Sequence, residues 1–235
     1  MSVTRMEIAI AACADLFRDD GEIVASPMGL IPSLGAKLAR LTFAPELLLS
    51  DGEAYLLDEN GVVEGWQPFR KVLDTVVPGG KRHVVMGANQ IDRHGNQNIS
   101  AIGPHEKPRK QLLGVRGGPG NTVNHRTSYW VPRHSTRVFV DEVDVVSGVG
   151  RARALAAGAG RFHEGHRVVT NLGVLAFGDR PSLVSVHPGV TVDEVRAATS
   201  FELDTGGTVE TRVPDDEELR LIRTVLDPES LRDKG

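Results

Sequence analysis

The sequence predicts a single-domain α/β fold, and three observations carry that reading. Short apolar runs alternate with segments of helical periodicity, the pattern of strands buried on both faces. The 235 residues, 40% apolar and 25% charged, suffice for one full core and exclude a disordered or low-complexity protein. Gly 26 and Pro 13 against 5% aromatic residues point to tight strand-to-helix turns, where backbone amides can approach a ligand.

The elements follow in order. Thr4-x-x-Glu7 is a capping box, and Ile8, Ala11, Ala12 and Leu16 line the face after it, so residues 4–18 form a helix. Asp19-Asp20-Gly21 stops it. Glu22 to Ser26 reads as a short buried strand, Pro27 to Ser33 as a loop, and Leu34 to Leu41 as a helix. Leu47 to Ser50, His83 to Ala88 and the longer Arg137 to Val146 read as strands. Arg151 to Gly160 is rich in Ala and Gly and uninformative. His166 to Phe177 reads as a hairpin around Asn171-Leu-Gly173. Thr191-x-x-Glu194 opens another helix, to about Thr199. Pro214 with Asp215 to Glu218 places acids on the positive end of a last helix, which Pro228 ends. Nothing marks a domain boundary or a repeat, so one domain over 1–235 is expected.

Composition removes several function classes. Lys+Arg 27 against Asp+Glu 31 gives a net charge of −4, without the basic footprint of a nucleic-acid binder. Cys13 is the sole cysteine, too few for an internal disulfide or a cysteine zinc site, and its helix position suggests a small core residue. No apolar run approaches the roughly 18 residues of a membrane span, and the first residues lack the apolar core of a signal peptide. A soluble, cytoplasmic protein is expected. The P-loop, the Gly-x-Gly-x-x-Gly turn, the Gly-x-Ser-x-Gly elbow and His-Glu-x-x-His are all absent.

Three stretches carry candidate chemistry. Ser50-Asp51-Gly52-Glu53 ends a buried strand, where α/β sheets bind ligands; Asp51 and Glu53 read as acid–base or nucleophilic groups, or as a polar turn. Met86 to Asn98 runs from a strand into an amide-rich turn, where most side chains bond local backbone and Gln90 and Asn98 stay open as substrate contacts. Gly114 to Asn121 lets the amides of Gly117, Gly118 and Gly120 converge on an oxyanion or phosphate beside Asn121, or simply makes a tight turn. Lys107, Arg109 and Lys110 upstream could meet phosphates or form a solvated face. His125 reads as an acid–base group or a structural histidine.

The chain resembles the β subunits of class I coenzyme A transferases. The resemblance rests on Leu38 to Pro45, Gly87-Ala-Asn-Gln-Ile-Asp92 with Gly95-Asn96 and Asn98, Gly117-Gly-Pro-Gly-Asn121, Val169 to Phe177, and His187-Pro-Gly-Val-Thr191 with Phe201-Glu202-Leu203. It spans nearly the whole chain and is nearest the glutaconate branch. It implies a CoA-transferase-type α/β fold, an α subunit of the same family in an αβ pair usually doubled to α2β2, an acyl-CoA substrate, no metal and no separate cofactor. Transferases of the family use a β-subunit glutamate as nucleophile. One register puts Asp51 at that position and another puts Gly52 there, so neither yields glutamate. Aspartate is a methylene shorter, and a displacement of roughly 1 Å costs on the order of a hundredfold in rate.

A narrower likeness is to the family's steroid-ring-opening branch. It is carried by Leu41 to Pro45, Ser50 to Ala54, Glu64-Gly-Trp-Gln-Pro-Phe69, Arg82 to Gln90, Thr127 to Val131 and Asp144-Val-Val-Ser-Gly148. It implies hydrolysis of a cyclohexenone carboxyl-CoA bearing a propionate arm. Water adds to the ring alkene, and a retro-aldol step breaks a C–C bond. The 1,3-dicarbonyl system delocalises the carbanion, so no protein nucleophile is required. The key glutamate base would belong to the α subunit. Here Gly117, Gly118, Gly120, Asn121, Gln90 and Asn98 would shape the pocket, with Asp51 and Glu53 at the old nucleophile site. The competing readings are a true transferase with a relocated carboxylate, a non-catalytic interaction subunit, and a stand-alone sugar-phosphate-binding domain. A trapped enzyme–CoA thioester, assembly defects without turnover defects, and activity without a partner would mark them respectively.

Overall fold

The computed structural model describes residues 2–52, 55–66, 68 and 81–234; Glu53, Ala54, Gln67 and Phe69 of the motifs above lie outside them. The architecture is α/β, as expected. The chain divides into two compact units, residues 1–86 with 211–235, and residues 87–210.

In the first unit, α1 (Arg5–Asp15) starts at the predicted capping box: Glu7 N donates to Thr4 Oγ1 at 3.3 Å, and Thr4 N donates to Glu7 Oε2 at 2.9 Å. The helix ends at Asp15, and residues 16–19 form turns rather than its last turn. α2 spans Leu30–Thr42, so it begins inside the expected loop. Pro32 does not prevent this, because a first-turn N–H has no intrahelical acceptor to lose. The two helices meet closely at Gly35, where an added Cβ would stand 2.6 Å from Cys13 Cβ and 2.9 Å from Ala14 N. Cys13 is a buried core residue, as read, and burial pushes its thiol well above the ordinary range.

The strands of this unit are β1 (Val24–Pro27), β2 (Leu48–Ser50), β3 (Tyr55–Leu57), β4 (Val63–Trp66) and β5 (Arg82–Gly87), in the order β5-β1-β2-β3-β4. β5, β1 and β2 run parallel, and β2, β3 and β4 pair antiparallel. The β3–β4 hairpin gave no sequence signal, since its residues are mostly exposed.

The C-terminal helix, Asp216–Leu221, opens with a capping box of Asp215 and Glu218 and continues as a π-helical turn, Ile222–Leu226. It returns to α1 through Glu7, which is fully buried. Arg223 grips both Glu7 oxygens at 2.7 and 2.9 Å, and Arg232 donates to Oε1 at 3.2 Å. Thus one carboxylate caps the first helix and anchors the last segment.

In the second unit, β6 (Gln90–Asp92), β7 (Gln97–Asn98) and β11 (Phe139–Val140) form a small sheet, and β8 (Ala101–Ile102) pairs with β9 (Lys110–Gln111). The larger set is β10 (Arg126–Val131), β12 (Glu164–Thr170), β13 (Gly173–Phe177), β14 (Pro181–Val186) and β15 (Val209–Glu210), neighbours in that order. β10 and β12 are parallel, and β12, β13 and β14 antiparallel, so the predicted hairpin around Asn171 is present. The helices are α3 (Gly118–Asn124), α4 (Arg151–Ala156) and α5 (Val192–Ala197), the last capped by Thr191 and Glu194 as expected. The strand expected over Arg137 to Val146 shrinks to β11. Its later carboxylates are drawn away: Arg93 donates to Asp141 at 2.9 Å and Gln90 to Asp144 at 2.9 Å.

Burial acts to raise the Glu7 carboxyl; the Arg223 bonds, the Thr4 amide and Arg232 outweigh it and hold the group below its ordinary 4.5. The stability it confers is full above that value and is lost as pH falls through the lower folded one. Glu7→Gln should therefore cost about 3 kcal/mol near neutral pH, as for a broken buried pair. It should also flatten the acid limb of stability in denaturant titrations at several pH values. A cost below about 1 kcal/mol would contradict this anchoring role.

Candidate functional site

The first predicted stretch forms a turn at the end of β2. Asp51 is exposed; its N–H donates to Tyr55 O at 3.0 Å and its Oδ1 accepts from Tyr55 N at 3.1 Å. The carboxylate thus caps the turn into β3 and also reaches solvent. Gly52 has φ +88°, and a Cβ there would stand 2.8 Å from Pro27 O. Position 52 therefore cannot carry any L side chain on this backbone, let alone a nucleophilic carboxylate. Glu53 lies outside the described residues.

Beneath the turn is a buried polar chain that the sequence reading missed. Arg82 Nε donates to Ser26 Oγ at 2.8 Å, and Ser26 Oγ stands 3.1 Å from Ser50 Oγ. Ser50 Oγ donates to Ala25 O at 2.9 Å and accepts from Gly52 N at 3.2 Å. Arg82 Nη2 also points to Gly52 O at 3.5 Å. Burial pulls the Arg82 guanidinium down to about 10, which still leaves it charged at neutral pH. Nothing local marks it in the sequence, where Arg82 is separated by His83 from the apolar run Val84 to Met86.

The second stretch is a closed hydrogen-bonding knot. Asn98 Nδ2 donates to Gln90 Oε1 and to Ala101 O, both at 2.7 Å, and its Oδ1 accepts from Ser100 N at 2.9 Å and Ala101 N at 3.4 Å. Gln90 donates to Asp144 Oδ2 at 2.9 Å and accepts from Asp144 N at 3.1 Å. Asp92 accepts from His94 N and Asn96 N, and from Asn96 Nδ2 at 2.9 Å; Asn96 Oδ1 takes Gly150 N at 2.8 Å. Gln90 and Asn98 are both buried, so the structure places them in the wall of the unit with their amides bonded to protein.

The third stretch is a turn running into α3. Gly117 is its N-cap, and Gly118 N is committed to Val115 O at 3.0 Å. The glycine amides therefore do not all point at one spot. Gly120 is exposed in the first helical turn, where an N–H has no intrahelical acceptor, while Asn121 is buried. His125 ends the helix at 2% exposure, which withdraws it from solvent and favours its structural reading.

The amide turn and α3 come together around a cavity of about 30 Å³ in the second unit, lined by Gly95, Thr122, Tyr129 and Gly150. His94, His163, His166, Arg151 and Arg167 also line it, and no Asp or Glu does so among the described residues. Tyr129 is buried, and burial raises its hydroxyl above the ordinary range. Among the described residues no group of three or more His, Cys, Asp or Glu is arranged to hold a metal ion. No helix among them is long and apolar enough to cross a membrane.

Asn98→Ala should cost about 2–4 kcal/mol in a denaturant titration, because it strands buried partners on both its donor and acceptor sides. A loss under about 0.5 kcal/mol would show that the knot is not structural.

The profile of the coenzyme A transferase family matches residues 74–198. The cholesterol ring-cleaving hydrolase IpdB subunit of Rhodococcus jostii RHA1 is 57% identical over 246 residues, covering 99% of this chain and 96% of that protein. The crystal structure of Rhodococcus jostii RHA1 IpdAB matches with a TM-score of 0.93 at 57% identity, over 100% of this chain and 98% of that one. Glutaconate coenzyme A-transferase from Acidaminococcus fermentans shares the fold, with a TM-score of 0.83 at 22% identity over 97% and 96% of the two chains.

Proposed function

The chain belongs to the coenzyme A transferase family, and from that premise we propose that it is the β subunit of an αβ hydrolase that opens the last ring of a steroid-derived acyl-CoA. Water adds to the ring alkene of a cyclohexenone carboxyl-CoA. Retro-aldol cleavage then breaks the C–C bond, with the electron pair delocalised over the two flanking carbonyls. Such chemistry needs a base for water and donors for the enolate oxygens, and no covalent enzyme intermediate. The base is assigned to a glutamate of the α subunit. CoA arrives with the substrate, so no separate cofactor or metal is invoked. We place the pair, as α2β2, in the cytoplasm.

The 57% identity to a ring-cleaving hydrolase subunit carries the preference for hydrolysis over CoA transfer within this family, and the described part of the β2 turn is consistent with it. At the end of β2 the described chain offers only Asp51, bonded into its own turn, and Gly52, whose φ of +88° and approach to Pro27 O leave no room for a side chain. In this reading Asp51 and Glu53 order water or protons beside the reacting ring. Within the second unit, Gly117 and Gly120 offer amides to the acyl-CoA, Gly118 and Asn121 shape the turn that holds them, and Gln90 and Asn98 hold that unit's own wall.

Co-expression with the α subunit and assay of the ring-opening substrate tests the proposal. The pair should open the ring, and the β chain alone should show no turnover. Activity of the isolated chain, or CoA exchange between acyl groups without ring opening, would refute it.

A further inference from the structure

From the buried chain beneath the β2 turn we infer that Arg82 is a positioning residue for the reaction, clamping the Ser50–Gly52 turn from below and holding a fixed positive charge against it. The inference rests on the reading that this turn borders the reacting acyl-CoA.

The register shows how far the side chain travels. Arg82 pairs with Val24 of β1, whereas Ser26 pairs with Val84, further along the parallel strands. The guanidinium nevertheless reaches Ser26 Oγ at 2.8 Å and Gly52 O at 3.5 Å, so the side chain runs along the strands toward their C-terminal ends. That is the end at which open α/β sheets bind ligands.

The direction of the relay is fixed as well. The Ser50 hydroxyl proton goes to Ala25 O, so Ser26 must donate to Ser50 and accept from Arg82. Each bond is thereby polarised by the guanidinium, and the last one receives Gly52 N. Arg82 is 4% exposed. A buried cation is costly to keep, and an apolar side chain would fill the same space more cheaply if packing were all that mattered. Its Nε reaches the amide of Gly52 through the serines, while its Nη2 faces the carbonyl of the same residue. A planar fork does this, and a point charge does it less well.

The test uses the purified αβ pair with Arg82→Met, Arg82→Lys and Asp51→Asn, the last keeping an oxygen for Tyr55 N. Arg82→Met should lower kcat by about 30- to 100-fold with KM for the acyl-CoA within about threefold, the signature of a displaced reacting geometry. Arg82→Lys, which restores the charge, should recover kcat to within about tenfold of wild type. Normal kcat in Arg82→Met, with a large loss in Asp51→Asn, overturns the inference. Normal kcat in both overturns the underlying reading of the turn. A joint loss of kcat and rise of KM that lysine does not rescue indicates plain structural damage and also overturns it. Should Arg82→Met fail to assemble, Ser26→Ala removes the relay but keeps the charge. A kcat loss of about 3- to 10-fold at unchanged KM then supports the clamp, and none refutes it.

Discussion

The second unit is organised by one interaction above others, the side-chain amide of Asn98. Its four hydrogen bonds tie Gln90, Ser100 and Ala101 together, and Gln90 passes the link to Asp144. Asp92 and Asn96 extend it to Gly150. Two stretches far apart in sequence, 90–101 and 144–150, are thus located by one buried amide cluster, and with them the Gly95 and Gly150 walls of the cavity. Each bond contributes on the order of 1 kcal/mol net, but stranding a buried partner costs about 1–3 kcal/mol, so such a cluster is kept whole or not at all. This explains why a run so rich in amides sits in a wall rather than facing solvent.

The first unit shows how a transferase fold can host a different reaction. Acyl exchange through an enzyme thioester needs a carboxylate projecting from the strand-end turn. Ring opening of a 1,3-dicarbonyl compound stores its electron pair in the substrate and has no such need. A turn released from that duty is free to approach the neighbouring strand, and Gly52 does so at Pro27 O. What the reaction still requires is a fixed frame and a suitable field. The Arg82–Ser26–Ser50 chain supplies a frame that does not depend on a nucleophile.

Elements with strong local signals were legible in the sequence. Both capping boxes, Thr4 with Glu7 and Thr191 with Glu194, form as read, because both partners lie within one helical turn. The hairpin at Asn171 also forms, since alternation and turn chemistry agree there. The failures have physical causes. Arg137 to Val146 looks extended, but its carboxylates are claimed by Arg93 and Gln90 from distant parts of the chain. The exposed β3–β4 hairpin has no buried face to impose a pattern. The same limit applies to the site. Strand-end placement located Asp51, and glycine content located the turn into α3. The commitment of Gln90 and Asn98 to each other, and the reach of Arg82 to Ser26, depend on tertiary contacts with no local mark.

The central claim is that this chain takes part in ring opening without becoming covalently attached to its substrate. Trapping with borohydride or hydroxylamine during turnover of the αβ pair, followed by intact-mass and peptide analysis of the β chain, tests it directly. Ring-opened product with an unmodified β chain is the predicted result. A reduced or hydroxamate-modified carboxylate at Asp51 or Glu53, formed only when acyl-CoA is present, would contradict it.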